Sequence, residues 1–457
     1  MVNPHTVTIA AVTFAILVWA PYAFAQAAAV QIPLQFDYLS PGARSLGMGG
    51  AFLGLSDDST AAYTNPAGLT QLSETEISIE GRYTKYSVPF VNGGSTPIDP
   101  FDTEALHAAT ASNSIDNLSF LSIVYPHERW AFALFRDEVI RYENTFAGSL
   151  EPETIDFGDL GTFDVFPIAG TQSVKVIDYG FSVALKVNDG VSLGAGLNYY
   201  KFDIDSTVGR FSDTLFFTNP GEVLNLQQQT GSDSDVGLNL GARFSLTEQW
   251  SVGLAYRMGP RFDYQAGSAI VATPVPNDQG SFDATPVTPP QVVANLSKVG
   301  FKIPDVYAIG LSWHPNDSWR VNLDFDEVMY SQVTHNMQSL FGYGPETLGR
   351  LVIPNGQEFH LGAEYTFAQM SHPISVRAGV WHDPRHSIEY RGEPITDPAL
   401  SSDPAVAALA VVFGVSKGSQ THGAIGAGMA FKQFQIDFGA DFSDLTDTYS
   451  LSAVWRF

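Results

Sequence analysis

Residues 449–457 read Tyr449-Ser450-Leu451-Ser452-Ala453-Val454-Trp455-Arg456-Phe457, and this stretch decides the fold. Every second residue is apolar or aromatic, the period of a strand with one greasy and one less greasy face. The same period recurs upstream. Phe434, Ile436, Phe438, Ala440 and Phe442 alternate with Gln435, Asp437, Gly439 and Asp441, and Val236 to Leu246 and Trp319 to Phe325 behave alike. A membrane-spanning barrel turns such an apolar set to lipid, whereas a soluble sandwich turns it to a core, so alternation alone does not separate them.

The connections do. The pattern predicts strands near 75–87, 117–126, 129–139, 174–187, 190–203, 235–246, 249–262, 304–314, 317–331, 356–367, 373–384, 420–431, 433–443 and 447–457. These are fourteen, an even number, as a single-chain barrel requires. Tight turns such as Pro126-His127-Glu128, Asn188-Asp189-Gly190 and Pro315-Asn316-Asp317 join alternate pairs. The other connections, 88–116, 140–173, 204–234, 263–303, 332–355 and 385–419, are long. Short turns at one end and long loops at the other form the outer-membrane pattern, which a sandwich has no reason to show. The expected fold class is therefore all-β: a transmembrane antiparallel β-barrel.

The amino-terminal end agrees. Thr6 to Ala20 is almost wholly apolar, and Ala23-Phe24-Ala25 fits an A-x-A cleavage site, so residues 1–25 read as a signal peptide. The absence of cysteine excludes disulfides and thiolate metal sites. A net charge of −25 excludes a basic nucleic-acid footprint. It is compatible with divalent cations bridging outer loops to lipid and lipopolysaccharide headgroups. Aromatic residues at 12 % suit interfacial girdles. A terminal strand ending on Phe457 resembles the sorting signal of outer-membrane barrels, which implies the outer-membrane assembly machinery as a partner.

Between the signal peptide and the first strand, residues 26–73 do not alternate. They contain Ser40-Pro-Gly-Ala-Arg-Ser-Leu-Gly-Met-Gly-Gly-Ala-Phe52 and Asp57-Asp58-Ser59-Thr60-Ala61-Ala62-Tyr63-Thr64-Asn65-Pro66-Ala67-Gly68-Leu69. The glycines at 47, 49 and 50 lack the preceding strand and following helix of a nucleotide loop. Small residues suit a backbone packed inside a lumen wide enough to leak. The second segment, with Asn65-Pro66-Ala67 after paired aspartates, resembles the hatch of the FadL family. Those are fourteen-stranded outer-membrane channels for long-chain fatty acids and, in relatives, aromatic hydrocarbons. Ile303 to Trp313, Trp319 to Phe325, and Val376-Arg-Ala-Gly-Val380 leading into Asp383-Pro384 match that family as well.

The resemblance implies a hatch (26–73) in a barrel (74–457), organised by Asn65, Pro66, Ala67 and Gly68. It implies uptake of a hydrophobic ligand such as a fatty acid, with exit sideways through the wall; no energy-coupling motif is visible near the mature amino-terminus, so the expected uptake is passive, and the expected state is a monomer. The resemblance also makes two outer loops a capture groove, with Leu215, Phe216, Phe217, Ile270, Val271, Val292 and Val293 as candidate ligand contacts. The third strand, Trp130 to Arg136, has no Gly or Pro to announce a wall opening. Arg243, Arg257, Arg320, Asp324, Asp326, His360, Glu364 and Arg377 are expected to form a lumen network holding the hatch.

Three alternatives compete. In the first, His314, His360 and His382 with Glu364 serve an outer-membrane enzyme; His360 and Glu364 share a strand face, but no nucleophile–base set is recognisable. The stretch from Gly42 to Phe52 also resembles plugs of barrels that serve protein-secretion machines. The last, a porin for polar solutes, conflicts with a plugged lumen. No catalytic residue, metal site or cofactor is assigned.

Overall fold

The computed structural model describes residues 41–93, 106–147, 154–156, 162–164, 168–211, 223–270, 272–276, 282–286, 297–334, 351–386, 389–390 and 419–457. The predicted signal peptide and most of the apolar stretch expected at 385–419 lie outside them.

One antiparallel sheet carries the molecule. Its strands are β1 (Glu76–Gly93), β2 (Leu106–His127), β3 (Trp130–Ala147), β4 (Ile168–Asn188), β5 (Val191–Phe211), β6 (Val223–Ser245), β7 (Trp250–Arg257) and β8 (Arg261–Ile270). They continue as β9 (Ser297–Lys302), β10 (Val306–Trp313), β11 (Trp319–Val328), β12 (Gly356–Phe367), β13 (Ile374–Asp383), β14 (Gln420–Ala430), β15 (Phe434–Phe442) and β16 (Thr446–Arg456). Fourteen of these close a ring, each paired to its neighbours, with β7 on β10 and Glu76 of β1 opposite Arg456 of β16. The remaining two, β8 and β9, carry the wall outward above β7 and β10.

Proline explains those two breaks. The chain between β7 and β8 is Met258-Gly259-Pro260, and between β9 and β10 it is Ile303-Pro304-Asp305. Proline offers no N–H to a ladder. Near the first break, β6 replaces ladder bonds with carboxylates: Asp233 accepts from the Asp263 N–H at 2.8 Å and Asp235 from the Arg261 N–H at 2.7 Å.

The fourteen-strand ring agrees with the alternation, but several strands are longer than the pattern predicts. Segments expected as loops, such as 106–116 and 140–147, are strand. In 110–117, Thr-Ala-Ser-Asn-Ser-Ile-Asp-Asn, polar residues occupy both faces. A wall that has left the bilayer needs no apolar face, so the period-two signal fades although the ladder continues.

Within the bilayer the faces sort as alternation requires. Leu451 and Trp455 are exposed while Ser450, Ser452 and Val454 between and beside them are buried. Aromatic residues gather in two tiers. Trp250 stacks on Trp313 at 5.5 Å and Trp319 meets Tyr365 at 4.9 Å near the short turns. Tyr256–Tyr307 at 4.9 Å and Phe325–Phe359 at 5.0 Å lie towards the other end. Rings with an apolar body and a polar edge sit well at both membrane–water boundaries.

Residues 41–72 fold inside the ring. Short helical turns at Ala43–Leu46, Ala61–Thr64 and Pro66–Gln71 are linked by tight backbone bends, and almost every residue to Leu69 is buried. The wall admits this backbone by offering glycine. A methyl group at Gly379 would lie 2.2 Å from the Met48 carbonyl carbon, and one at Gly241 would lie 2.2 Å from Asn65 Oδ1. No side chain fits at either place.

Candidate functional site: a filled lumen and a seam in its wall

The inner segment is held by hydrogen bonds from almost every side. Asn65 Nδ2 donates to Leu53 O at 3.3 Å and to Ala242 O of β6 at 3.2 Å, while its Oδ1 accepts from the Ala67 N–H at 3.3 Å. Pro66 then starts the following helical turn, where its missing N–H costs nothing. At Gly68 any Cβ would lie 2.2 Å from Ser56 O. These contacts give each of Asn65, Pro66, Ala67 and Gly68 a local reason for its identity. Ser182, Asn239 and Ser251 of the wall donate to the backbone carbonyls of Ala62 (2.7 Å), Tyr63 (3.2 Å) and Gly54 (2.9 Å). On β1, Glu80 accepts the Gly42 N–H at 2.8 Å.

The charged contacts run down one seam of the wall, where β11 pairs β12 with Asp326 opposite Glu358, Asp324 opposite His360 and Arg320 opposite Glu364. Asp324 Oδ2 accepts the backbone N–H groups of Phe52 (2.6 Å) and Leu53 (2.7 Å). His360 Nδ1 lies 2.7 Å from Gly49 O. Glu364 accepts from Arg44 at 3.0 Å and from Arg377 at 2.6 Å, and Arg377 reaches Asp437 at 2.8 Å. Arg320 stands 3.7 Å from Glu364, and Arg257 stands 3.8 Å from Asp326 with its guanidinium over the Tyr63 ring. Arg243 lies apart from this line, donating to Ser245 Oγ at 2.8 Å.

Arg44 joins the two halves. Burial alone would draw its guanidinium down, but Asp57, Glu364 and Asp58 outweigh that and hold it well above its ordinary value. It therefore stays charged. Arg44, Glu80 and Asp437 are not among the expected network residues; a cation within the small-residue run at 40–52, which is read as packed inside a lumen, is the signal that points to Arg44.

Above the inner segment the lumen holds an apolar cluster beside buried polar groups such as Gln172, Asp178 and Asn198. Val174, Val176, Tyr200, Phe202, Ile204, Phe262, Tyr264 and Tyr330 are buried in one cluster with Tyr63 below. Phe202 stacks on Phe262 at 4.8 Å and Tyr86 meets Tyr142 at 5.5 Å.

The wall beside this cluster is interrupted. The β2–β3 ladder runs from His127–Trp130 up to Phe120–Asp137 and stops. Each strand continues pairing on its other side, β2 with β1 to Leu106 and β3 with β4 to Ala147. Both strands bulge just above the last shared pair: Ser119 is the extra residue of β2 and Val139 that of β3. Bulges bend a strand and end pairing. Side chains bridge the gap, with Asn117 donating to Glu138 at 3.1 Å, Asn113 to Asn144, and the Glu143 N–H to Tyr86 OH at 3.1 Å. The search for Gly or Pro in β3 missed this seam because paired bulges, rather than breaker residues, produce it.

Of the predicted ligand contacts, Leu215, Phe216, Phe217, Val271, Val292 and Val293 lie outside the described residues. Ile270, expected in a loop, is the last residue of β8. His314 follows β10 with its backbone N–H donating to Gln249 O at 2.9 Å, and His382 lies on β13 beside the inward-facing Trp381, apart from Glu364. Among the described residues, one group could hold a metal ion: Asp326, Glu358 and His360.

A closed fourteen-stranded barrel with an apolar outer face and a filled lumen defines an integral barrel of the outer-membrane type. Residues 154–394, just over half of the chain, match the family described as outer membrane protein transport protein (OMPP1/FadL/TodX), and the chain belongs to that family. It is an outer-membrane protein of a transport family, not of an enzyme family. Outer membrane protein P1 of Haemophilus influenzae is 23 % identical over 377 residues, covering 77 % of each chain. A Pseudomonas aeruginosa FadL homologue shares the fold with a TM-score of 0.57 at 14 % identity, covering 91 % of this chain and 98 % of that one. The Ralstonia pickettii toluene transporter TbuX does so at 0.56 and 17 %, covering 92 % and 100 %.

Proposed function

We propose that the protein carries hydrophobic molecules, long-chain fatty acids foremost, passively into the cell envelope, with residues 41–72 acting as a hatch. The observation that carries this reading is the apolar cluster of the lumen, which reaches the seam at Phe120, Phe135, Val139 and Tyr142. A solute in that lumen is blocked downward by the inner segment and has a sideways path between β2 and β3. At its lower end, beside the outward-facing Leu118 and Leu121, that path meets the rim of the apolar outer face, so a hydrophobic solute leaving there passes from apolar side chains to lipid with little exposure to water.

The aromatic pair Phe202–Phe262 supports a second reading, in which ring-shaped hydrocarbons are carried instead. Stacked aromatic faces accept a flat ring as readily as an acyl chain. Uptake of labelled oleate and labelled toluene, by cells with and without the protein, separates the two. Saturable, protein-dependent uptake of oleate supports the first reading and of toluene alone the second. Uptake of neither, with the barrel present in the outer membrane, overturns both and favours a secretion partner of the same fold.

A further inference from the structure

The geometry points to a binding site for a borderline first-row dication, with Zn²⁺ as the type ion, formed by Asp326, Glu358 and His360 above the hatch. The three residues come from adjacent strands in direct register, and one ligand atom from each lies within 4.8 Å of the others. His360 Nε2 and Glu358 Oε2 are 3.6 Å apart. Two ligands of a tetrahedral ion bound at about 2.0–2.2 Å stand about 3.3–3.6 Å apart, so this edge already has metal-site dimensions.

The imidazole is prepared for coordination. Its Nδ1 is 2.7 Å from the Gly49 carbonyl, an acceptor only, so Nδ1 carries the proton and donates. In the neutral ring that leaves the lone pair on Nε2, facing the carboxylates. A backbone carbonyl on the far nitrogen is the usual way a ligating histidine is oriented. Trp381, stacked on the ring at 5.2 Å and 14°, fixes its plane. The second oxygen of Glu358 is occupied by Tyr330 OH at 3.1 Å, which leaves Oε2 for the ion.

Charge argues the same way. Asp324, Asp326 and Glu358 cluster here against Arg257, with Asp383 beside Glu358 and His386 on Asp383, so carboxylates outnumber the bases and a dication would offset the excess. A protonated His360 would cancel only one charge. Mixed imidazole and carboxylate donors select Zn²⁺, Mn²⁺ or Fe²⁺ over Mg²⁺. Because His360 also holds Gly49, an ion at this site would brace the hatch from above.

The test uses the full-length barrel in detergent, stripped with chelator, loaded with Zn²⁺ or Mg²⁺, dialysed and assayed for metal by mass spectrometry. The expected result is one retained Zn²⁺ per barrel, no retained Mg²⁺, and at least a tenfold loss of Zn²⁺ in the Glu358→Gln/His360→Gln double variant. Heat-modifiable gel mobility checks that the variant barrel is folded, and Asp326→Asn serves as a second variant if it is not. Equal Zn²⁺ in wild type and variants, an adventitious ion only, overturns the proposal. So does a wild-type barrel that retains none, which would make His360 an imidazolium held by two carboxylates.

Discussion

At the scale of single residues, the inner segment is tied to the wall through Glu364. This carboxylate receives Arg44 from the inner segment and Arg377 from the wall, with Glu364 and Arg377 buried and Arg44 largely so. Removing one partner of a buried ion pair costs about 3–5 kcal/mol, because the other charge stays behind without compensation. Glu364→Gln should therefore loosen residues 41–72 while the barrel persists; limited proteolysis should cut the inner segment faster at unchanged heat-modifiable mobility. Unaltered proteolysis would show that the hydrogen bonds to Asp324, Ser182 and Asn239 suffice. Gly379→Val should act in the same direction, since its Cβ would meet the Met48 backbone at 2.2 Å. The wall side of this network was legible: Arg320, Asp324, Asp326, His360 and Glu364 stand on inward positions of alternating strands, where a charge demands a partner. The hatch side was not. Arg44 lies in a segment with no period, and nothing in sequence spacing ties it to an acid three hundred residues on.

Among the elements, β2 and β3 carry the most consequence. A bulge adds one residue to one strand, so deleting Val139 should make the β3–β4 ladder regular without turning any other side chain of that pair to the opposite face. The expected outcome is a folded barrel whose hydrophobic uptake falls severalfold, measured with the same labelled solute in wild-type and variant cells. Equal uptake would mean that solute does not leave beside Val139. The bilayer-spanning part of each strand was readable because one face must be greasy. Their outer extensions and the bulges were not, because polar residues on both faces and one added residue leave no periodic trace. The break at Pro260 could have been read, since a proline inside the expected strand 249–262 argues against an unbroken ladder.

For the whole molecule, an acidic barrel, an inner segment that fills its lumen and one weakened line in the wall together make up the proposed route for apolar solutes. Removing residues 26–45 takes away Arg44 and the turn that begins at Ala43, and should change uptake while the ring still closes, since Glu76 to Arg456 supply all fourteen of its strands. Pro66→Ala should change it less, because Asn65 keeps its bonds to Leu53 and Ala242. Unchanged uptake in both variants would count against a hatch. The fold was legible from strand count and loop lengths; the route was not, because it depends on where two strands stop pairing. The chain has no cysteine, so Asn113→Cys with Asn144→Cys gives one unique pair across the seam, at side chains that already touch. The decisive measurement is uptake of labelled oleate by this double variant before and after bridging with a short bis-methanethiosulfonate, which forms two reducible disulfides with loss of two methanesulfinates. Lateral exit predicts at least a tenfold fall on bridging and recovery on reduction; uptake that ignores the bridge would contradict it.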